Sequence, residues 1–71
     1  MNEINDDRLQ NWFTYHAPTP EQLDCYEGIR DAALDFARVV VALTPAGADQ
    51  TAAVRKIREA VMTANAAIAC G

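Results

Sequence analysis

The sequence contains few of the residues that build metal centres or disulfide scaffolds. The 71-residue chain has two cysteines, Cys25 and Cys70, and one histidine, His16. A structural zinc site needs about four thiolate or imidazole ligands, and small disulfide-stabilised domains need several cysteine pairs. We therefore expect no metal site and no cofactor. Both thiols are expected to be free in a reducing cytosol, although a Cys25–Cys70 disulfide is geometrically conceivable.

Long apolar runs and basic residues are also scarce. No apolar run approaches the ~18 residues that a membrane-spanning helix needs, and the amino terminus is acidic and polar, unlike a signal peptide. Six Lys and Arg residues face ten Asp and Glu residues, which gives a net charge of −4. Affinity for polymeric DNA or RNA depends on many phosphate-neutralising side chains. We expect a cytosolic protein that contacts neither a membrane nor a nucleic-acid polymer.

Alanine is what the sequence has in excess. Hydrophobic residues make up 51% of the chain but aromatic residues only 7%, and the surplus is mostly alanine, which favours helices that approach one another closely. A chain of this length forms one small domain whose core supplies only ~3 to 5 kcal/mol. We predict a single all-α domain over residues 1–71 that gains further stability by homo-oligomerisation.

Proline and glycine divide the chain into helical segments and loops. The predicted segments are an N-terminal helix over 1–13, a loop over 14–19, helix two over 20–43 and helix three over 50–69. Asn2 or Asn5 is expected to cap the first helix, and Asp49 to cap the third. Thr19 followed by Pro20, with Gln22 at the third helical position, predicts a capping box that starts helix two.

Apolar residues recur along the two long helices at alternating three- and four-residue steps, as in helices that bury one face. The helix-two stripe contains Leu23, Tyr26, Ile29, Ala33, Phe36 or Ala37, and Val40; the helix-three stripe contains Val54, Ile57, Val61, Ala64 and Ile68. Two such helices joined by a short turn form an antiparallel hairpin. The small side chains of Ala53, Ala60 and Ala67 form a second face, which we expect to contact another subunit.

Charged side chains offer little catalytic chemistry. Asp24, Glu27 and Asp31 share one helical face, but no Glu-x-x-His pair accompanies them, so a solvated face is the expected role. The basic residues at 55, 56 and 58 are too few for a nucleic-acid surface and are expected on a solvated face or in interchain salt bridges. No nucleophile lies beside a base. We expect a binding protein or a structural oligomer, not an enzyme.

The aromatic residues are concentrated at the predicted loop. Trp12, Phe13 and Tyr15 are three of the five aromatic residues, and flat rings of this kind stack on nucleobases. We expect Trp12 and Phe13 to be core residues that dock the first helix, which leaves Tyr15 for a ligand. Arg30 lies beside the apolar stripe. Its guanidinium is expected either in a salt bridge with Glu27 or an acid of another subunit, or as a donor to a phosphate or base edge.

The segment 12–18, Trp-Phe-Thr-Tyr-His-Ala-Pro, with Gln22, Tyr26 and Arg30 behind it and the alanine-rich segment 59–69, is similar to the phage anti-CBASS protein two family. The resemblance covers nearly the whole chain. It implies a small helical hairpin that assembles into a homohexamer. It also implies a phage-encoded sponge that sequesters cyclic dinucleotide second messengers, such as cyclic GMP-AMP, without degrading them. Such a protein keeps CBASS effectors inactive in the cytoplasm of the infected bacterium.

The resemblance also implies site residues. By motif position, Tyr15 stacks against a base and Arg30 contacts the ligand, each supplied by two subunits, while His16 and Pro18 line the same pocket. Some relatives hold cyclic trinucleotides in a second pocket that uses a basic residue where this chain has Cys70, and Asn65 is the polar candidate there. Two alternatives stay open: a sponge for cyclic ADP-ribose or cyclic trinucleotide signals, since a related hairpin occurs in Thoeris anti-defence proteins, and a structural or regulatory oligomer without a ligand.

Overall fold

A computed structural model of the chain describes residues 4–71, and this part is helical, with no strand. Three helices follow one another: α1 (Asp6–Trp12), α2 (Pro20–Leu43) and α3 (Ala48–Cys70). The predicted all-α class is confirmed. The alternative cap Asn2 and the first residues of the predicted segment 1–13 lie outside the described residues.

The first helix is shorter than predicted because its caps lie inside the expected interval. The side chain of Asn5 accepts a hydrogen bond from the backbone N–H of Arg8 at 3.0 Å, so the helix begins at Asp6. Phe13 is the C-cap, with φ −107° and ψ 13°. The sequence-based helix therefore extended too far at its carboxyl end, and Asn5 is the cap among the described residues.

The second helix begins at the capping box that the sequence indicates. The backbone N–H of Gln22 donates to Thr19 Oγ1 at 3.2 Å, and the backbone N–H of Thr19 donates to Gln22 Oε1 at 3.0 Å. At the other end Thr44 is extended, with ψ 151°, as expected for a residue that precedes a proline. Local sequence chemistry thus determines both ends of α2.

The predicted Asp49 cap of the third helix is wrong. The helix begins at Ala48, its N-cap is Gly47, and no side chain caps it. Gly47 has φ 158°, a backbone conformation that other residues rarely adopt, and it stands directly before the helix. Asp49 instead lies in the first turn, where a carboxylate interacts favourably with the helix dipole.

The two long helices form an antiparallel hairpin. The side-chain amide of Gln22 reaches the carbonyl of Ile68, and that of Gln50 reaches the carbonyl of Val41, so each helix begins beside the end of the other. All five predicted stripe residues of α3 are half-buried. The α2 stripe was predicted to contain either Phe36 or Ala37, and of these two Ala37 is half-buried. Phe36 and Leu23 are more than half exposed.

A single chain does not enclose a core. None of the residues 4–71 is fully buried, and the helix α1 packs only on α3. Phe13 is 85% exposed and Trp12 45%, so the prediction that both are core residues is wrong within one chain, because α1 ends before it carries Phe13 onto the hairpin. No helix of the described part is long and apolar enough to cross a membrane.

An open apolar groove runs along one face of the hairpin. Its volume is about 680 Å³, and it is lined by residues of both long helices, among them Ile29, Phe36, Val40, Ile57, Ala60 and Val61. Ala60, from the predicted second face of α3, lies in this groove and is exposed in the single chain. Large exposed apolar surfaces of this kind mark an interaction surface.

Candidate functional site

The loop between α1 and α2 presents an unshielded aromatic ring. Tyr15 is 84% exposed, although it lies only a few residues from two helix ends. Its neighbour Thr14 donates its hydroxyl to the carbonyl of Gln10, and the following residue, His16, is half-buried. The ring of Tyr15 is therefore exposed to solvent, whereas its neighbour Thr14 is hydrogen-bonded and its neighbour His16 is half-buried.

The imidazole of His16 is oriented by a hydrogen bond to α1. Its Nε2 atom lies 2.7 Å from the backbone carbonyl oxygen of Asn11. A carbonyl oxygen only accepts hydrogen bonds, so Nε2 carries the hydrogen, and in the neutral ring Nδ1 is then the acceptor. His16 therefore has one ring nitrogen engaged within the chain and the other available as an acceptor.

The loop is attached to the carboxyl end of α3 on both sides. Before the loop, Asn11 Nδ2 donates to the carbonyl of Cys70 at 3.0 Å. After the loop, Gln22 Nε2 donates to the carbonyl of Ile68 at 3.2 Å. Asn11 was not among the predicted site residues, and Gln22 was expected only to cap α2. No local pattern indicates either contact, because the partners lie 59 and 46 residues away in the chain.

Arg30 is exposed on α2 and forms no ion pair among residues 4–71. The one ion pair of the described residues joins Arg38 and Asp35 at 3.9 Å, so the expected salt bridge between Arg30 and Glu27 is not formed. Arg30 lies ten residues beyond Pro20, which is about 15 Å along a helix axis. One chain therefore holds the two principal candidates, Tyr15 and Arg30, on separate elements.

The remaining candidates differ in their surroundings. Pro18 is exposed in the loop, directly before the Thr19 cap. Asn65 is half-buried on α3, and its Oδ1 atom is shielded from solvent without a hydrogen-bond partner. Leaving a buried acceptor unpaired costs about 1 to 3 kcal/mol. Among residues 4–71, Oδ1 of Asn65 makes no hydrogen bond that joins the two helices of the hairpin. A contact between Asn65 and another molecule stays a prediction.

Cysteines and acids form no metal centre in the part that the structure describes. Cys25 is exposed and Cys70 half-buried, and both thiols are free. Within residues 4–71 no group of three His, Cys, Asp or Glu side chains is placed to hold a metal ion. The Sγ of Cys70 instead lies 3.7 Å from the carbonyl oxygen of Asn11, as a weak donor to the same atom that His16 contacts.

Comparison with known families matches residues 5–69 to the Acb2/Tad1 hairpin domain. The chain belongs to this family. Neither the search of curated proteins nor the search of solved structures gives a match. Members of the Acb2/Tad1 family act as binding sponges in anti-defence and not as enzymes, and this supports a sponge-type anti-defence role for the chain.

The match to the Acb2/Tad1 hairpin domain covers both the loop and the hairpin. Every candidate residue lies within it: Tyr15, His16, Pro18, Arg30 and Asn65. It also includes Asn11 and both helices that line the apolar groove. The features described above therefore belong to the family domain and not to an appended segment.

Proposed function

We propose that this protein is a phage-encoded sponge that binds cyclic dinucleotide second messengers, such as cyclic GMP-AMP, between two copies of the chain. The observation that carries the proposal is Tyr15, an aromatic ring 84% exposed on a loop whose flanking residues are hydrogen-bonded. Exposing such a ring has no packing benefit for a single chain. Stacking of a flat ligand on the ring of Tyr15 accounts for its exposure.

The other candidate residues supply polar recognition. The stacking of a base on an aromatic side chain contributes ~1 to 3 kcal/mol. The guanidinium of Arg30, unpaired within the described chain, is a fork donor suited to a phosphate. Nδ1 of His16 is the acceptor for an exocyclic amine of a base, and Pro18 forms part of the pocket wall.

A two-fold pocket follows from the chemistry of the ligand. A cyclic dinucleotide has two bases and two phosphates, whereas one chain offers one Tyr15 and one Arg30, on separate elements. A symmetric pair of chains supplies both groups twice. The net charge of −4 does not oppose this, because salt screens charges that lie beyond ~8 Å.

Assembly of several chains is the second part of the proposal. No residue of 4–71 is fully buried, and the groove of about 680 Å³ leaves apolar side chains of both long helices open. A second copy of the same chain covers this surface, and the anti-CBASS resemblance specifies a homohexamer. The assembled sponge sequesters its ligand intact in the cytoplasm of the infected bacterium and keeps CBASS effectors inactive, without a cofactor.

One observation favours a second ligand class. The unpaired Oδ1 of Asn65 is shielded from solvent in the single chain, so the side chain of Asn65 rotates before it pairs with a cyclic trinucleotide or a neighbouring subunit, and Cys70 stands where relatives with that pocket have a basic residue. Cyclic ADP-ribose is the remaining small-ligand candidate. A ligand at ~100 times its Kd adds ~2.7 kcal/mol of stability, so thermal shifts with each ligand separate these candidates. A structural oligomer shows no shift with any of them.

Isothermal titration calorimetry with cyclic GMP-AMP tests the proposal directly. Tyr15→Ala is expected to weaken binding by at least ~30-fold if two stacked rings are lost per ligand. Tyr15→Phe, which keeps the ring, is the matched control and is expected to bind within a few-fold of the natural protein. Unchanged affinity of Tyr15→Ala, with normal assembly on size-exclusion chromatography, removes Tyr15 from the site.

Sequestration without degradation has its own measurement. After long incubation with the protein and subsequent denaturation, chromatography is expected to recover the cyclic dinucleotide intact and in full amount. Linear products would contradict the sponge mechanism.

A further inference from the structure

The carboxyl end of α3 is capped by side chains from both sides of the Tyr15 loop. The last four carbonyls of a helix have no partner within the helix. In α3 the carbonyl of Ile68 accepts from Gln22 Nε2 at 3.2 Å, and that of Cys70 accepts from Asn11 Nδ2 at 3.0 Å. The two donors stand on either side of residues 13–19, so this helix end and the loop are joined twice.

Each donor also holds the loop with its remaining polar atoms. Oε1 of Gln22 accepts from the backbone N–H of Thr19 at 3.0 Å. The carbonyl of Asn11 accepts from Nε2 of His16 at 2.7 Å. Asn11 and Gln22 therefore bridge the end of α3 to His16 and Thr19 of the loop that carries Tyr15, while the ring of Tyr15 itself is exposed.

We propose that Asn11 and Gln22 are positioning residues, which order the loop on the end of α3 so that Tyr15 is placed for its ligand before binding. This inference rests on the proposed function. Fixing a backbone residue has an entropy cost, and a loop that is ordered in the free protein does not meet that cost again on binding. Ligand affinity therefore depends on two amides that do not touch the ligand.

Gln22→Glu isolates one of these contacts. A glutamate keeps the oxygen that accepts from Thr19, and thus the capping box, but it has no hydrogen to donate to the carbonyl of Ile68. Asn11→Leu removes the other contact without adding charge, and it separates loss of the bond from electrostatic repulsion of an anionic ligand. The proposal expects the same effects from both variants.

Gln50→Glu is the matched control at the opposite end of the hairpin. The side-chain amide of Gln50 donates to the carbonyls of Val41 and Thr44, at 3.2 and 3.1 Å. The substitution makes the same chemical change as Gln22→Glu, also at the carboxyl end of a helix, but far from the loop. Any general effect of lost helix capping appears in this control.

The experiment combines hydrogen exchange of the ligand-free full chain with calorimetry using cyclic GMP-AMP. In Gln22→Glu and Asn11→Leu the hydrogen-bonded backbone amides of Phe13 and Thr19, at the two ends of the loop, are expected to exchange about tenfold faster, and the Kd to rise about tenfold, as for loss of one hydrogen bond. Circular dichroism and assembly are expected to match the natural protein. Gln50→Glu is expected to change neither loop exchange nor affinity.

Two results overturn the inference. Exchange of the Phe13 and Thr19 amides that stays at the natural rate in both variants means that the side chains of Asn11 and Gln22 do not order the loop. Faster exchange with unchanged Kd means that loop order does not serve binding. If the natural protein binds no cyclic dinucleotide, the proposed function fails, and the exchange rates alone decide whether Asn11 and Gln22 order the loop.

Discussion

The two ends of the hairpin are closed by the same kind of hydrogen bond but present different surfaces. At the turn over residues 44–47, Gln50 donates to helix-end carbonyls of Val41 and Thr44. At the other end, Asn11 and Gln22 do the same for α3. Of the two, the second end carries a loop with an exposed tyrosine, so capping occurs at both ends, whereas the proposed ligand site lies at one.

The difference lies in what stands between the helices. The turn between α2 and α3 has four residues, 44–47, and ends at Gly47, whose φ of 158° other residues rarely adopt. The loop between α1 and α2 has seven residues, 13–19, and contains two aromatic residues and the one histidine. A short turn leaves no room for a site, whereas a longer loop held at both flanks can present rigid groups to a ligand.

The largest expected effect comes from the groove that connects the two ends. Ala60→Glu places a carboxylate in this apolar surface, and burying it against a second copy without a partner costs several kcal/mol. We expect dissociation to single chains in analytical ultracentrifugation and loss of measurable ligand binding. Ala46→Glu, at an exposed residue of the turn, is expected to leave both unchanged. Retained assembly of Ala60→Glu would place the subunit contact elsewhere.

Arg30→Ala tests the loop end through its cation. Loss of a charge-assisted hydrogen bond of about 1.5 to 3 kcal/mol weakens ligand binding ~10- to 100-fold. Arg38→Ala, which removes an exposed guanidinium paired with Asp35 on the same helix, is the control and is expected to change the Kd less than threefold in calorimetry. Equal losses in the two variants would indicate a general electrostatic attraction instead of a site.

At the turn end, Gly47→Ala is expected to affect stability alone. A Cβ at φ 158° strains the backbone by about 1 to 3 kcal/mol, although no atom lies within 4 Å of its position. Urea unfolding measures the loss of unfolding free energy. Ligand affinity of the folded variant should match the natural protein, and a reduced affinity would show that the two ends are coupled.

The smallest expected change is that of Thr19→Ala at the loop end. Loss of an N-cap lowers the free energy of unfolding by ~1 kcal/mol, and here it also releases one flank of the Tyr15 loop. Unlike Gly47→Ala, it is expected to weaken ligand binding in calorimetry by a few-fold. Asn5→Ala removes the cap of α1 as a control for lost capping. Unchanged affinity of Thr19→Ala would separate the capping box from loop order.

Local chemistry made part of this fold predictable. The capping box at Thr19, the proline after it and the half-buried stripe of α3 all follow from neighbouring residues. The start of α3 was not predictable in this way. The helix begins directly after Gly47, which has an unusual backbone angle, and the side-chain cap expected of Asp49 is not formed. The helical period allows either Phe36 or Ala37 in the stripe of α2. Ala37 is the half-buried residue, since its small side chain lets the two helices approach closely.

The sequence singled out candidate site residues by type, but not the contacts that support them. A binding role of Tyr15 and Arg30 stays a prediction; in the described residues the ring of Tyr15 is exposed and Arg30 forms no ion pair. The hydrogen bonds of Asn11 and Gln22 join residues far apart in the chain, and such contacts exist only once the hairpin closes. The exposure of Phe13 was not predicted, because the hydrophobicity of a residue does not show whether it is buried or faces outward from a loop.

The bond from the Gly71 amide to the carbonyl of Ala67 has a practical consequence for handling the protein. A tag or fluorophore joined to Gly71 lies close to Asn11 and Cys70 and can reach the Tyr15 loop. A label inserted at Ala46 sits at the far tip of the hairpin. Surface immobilisation through that tip leaves the tyrosine ring facing the bulk solution.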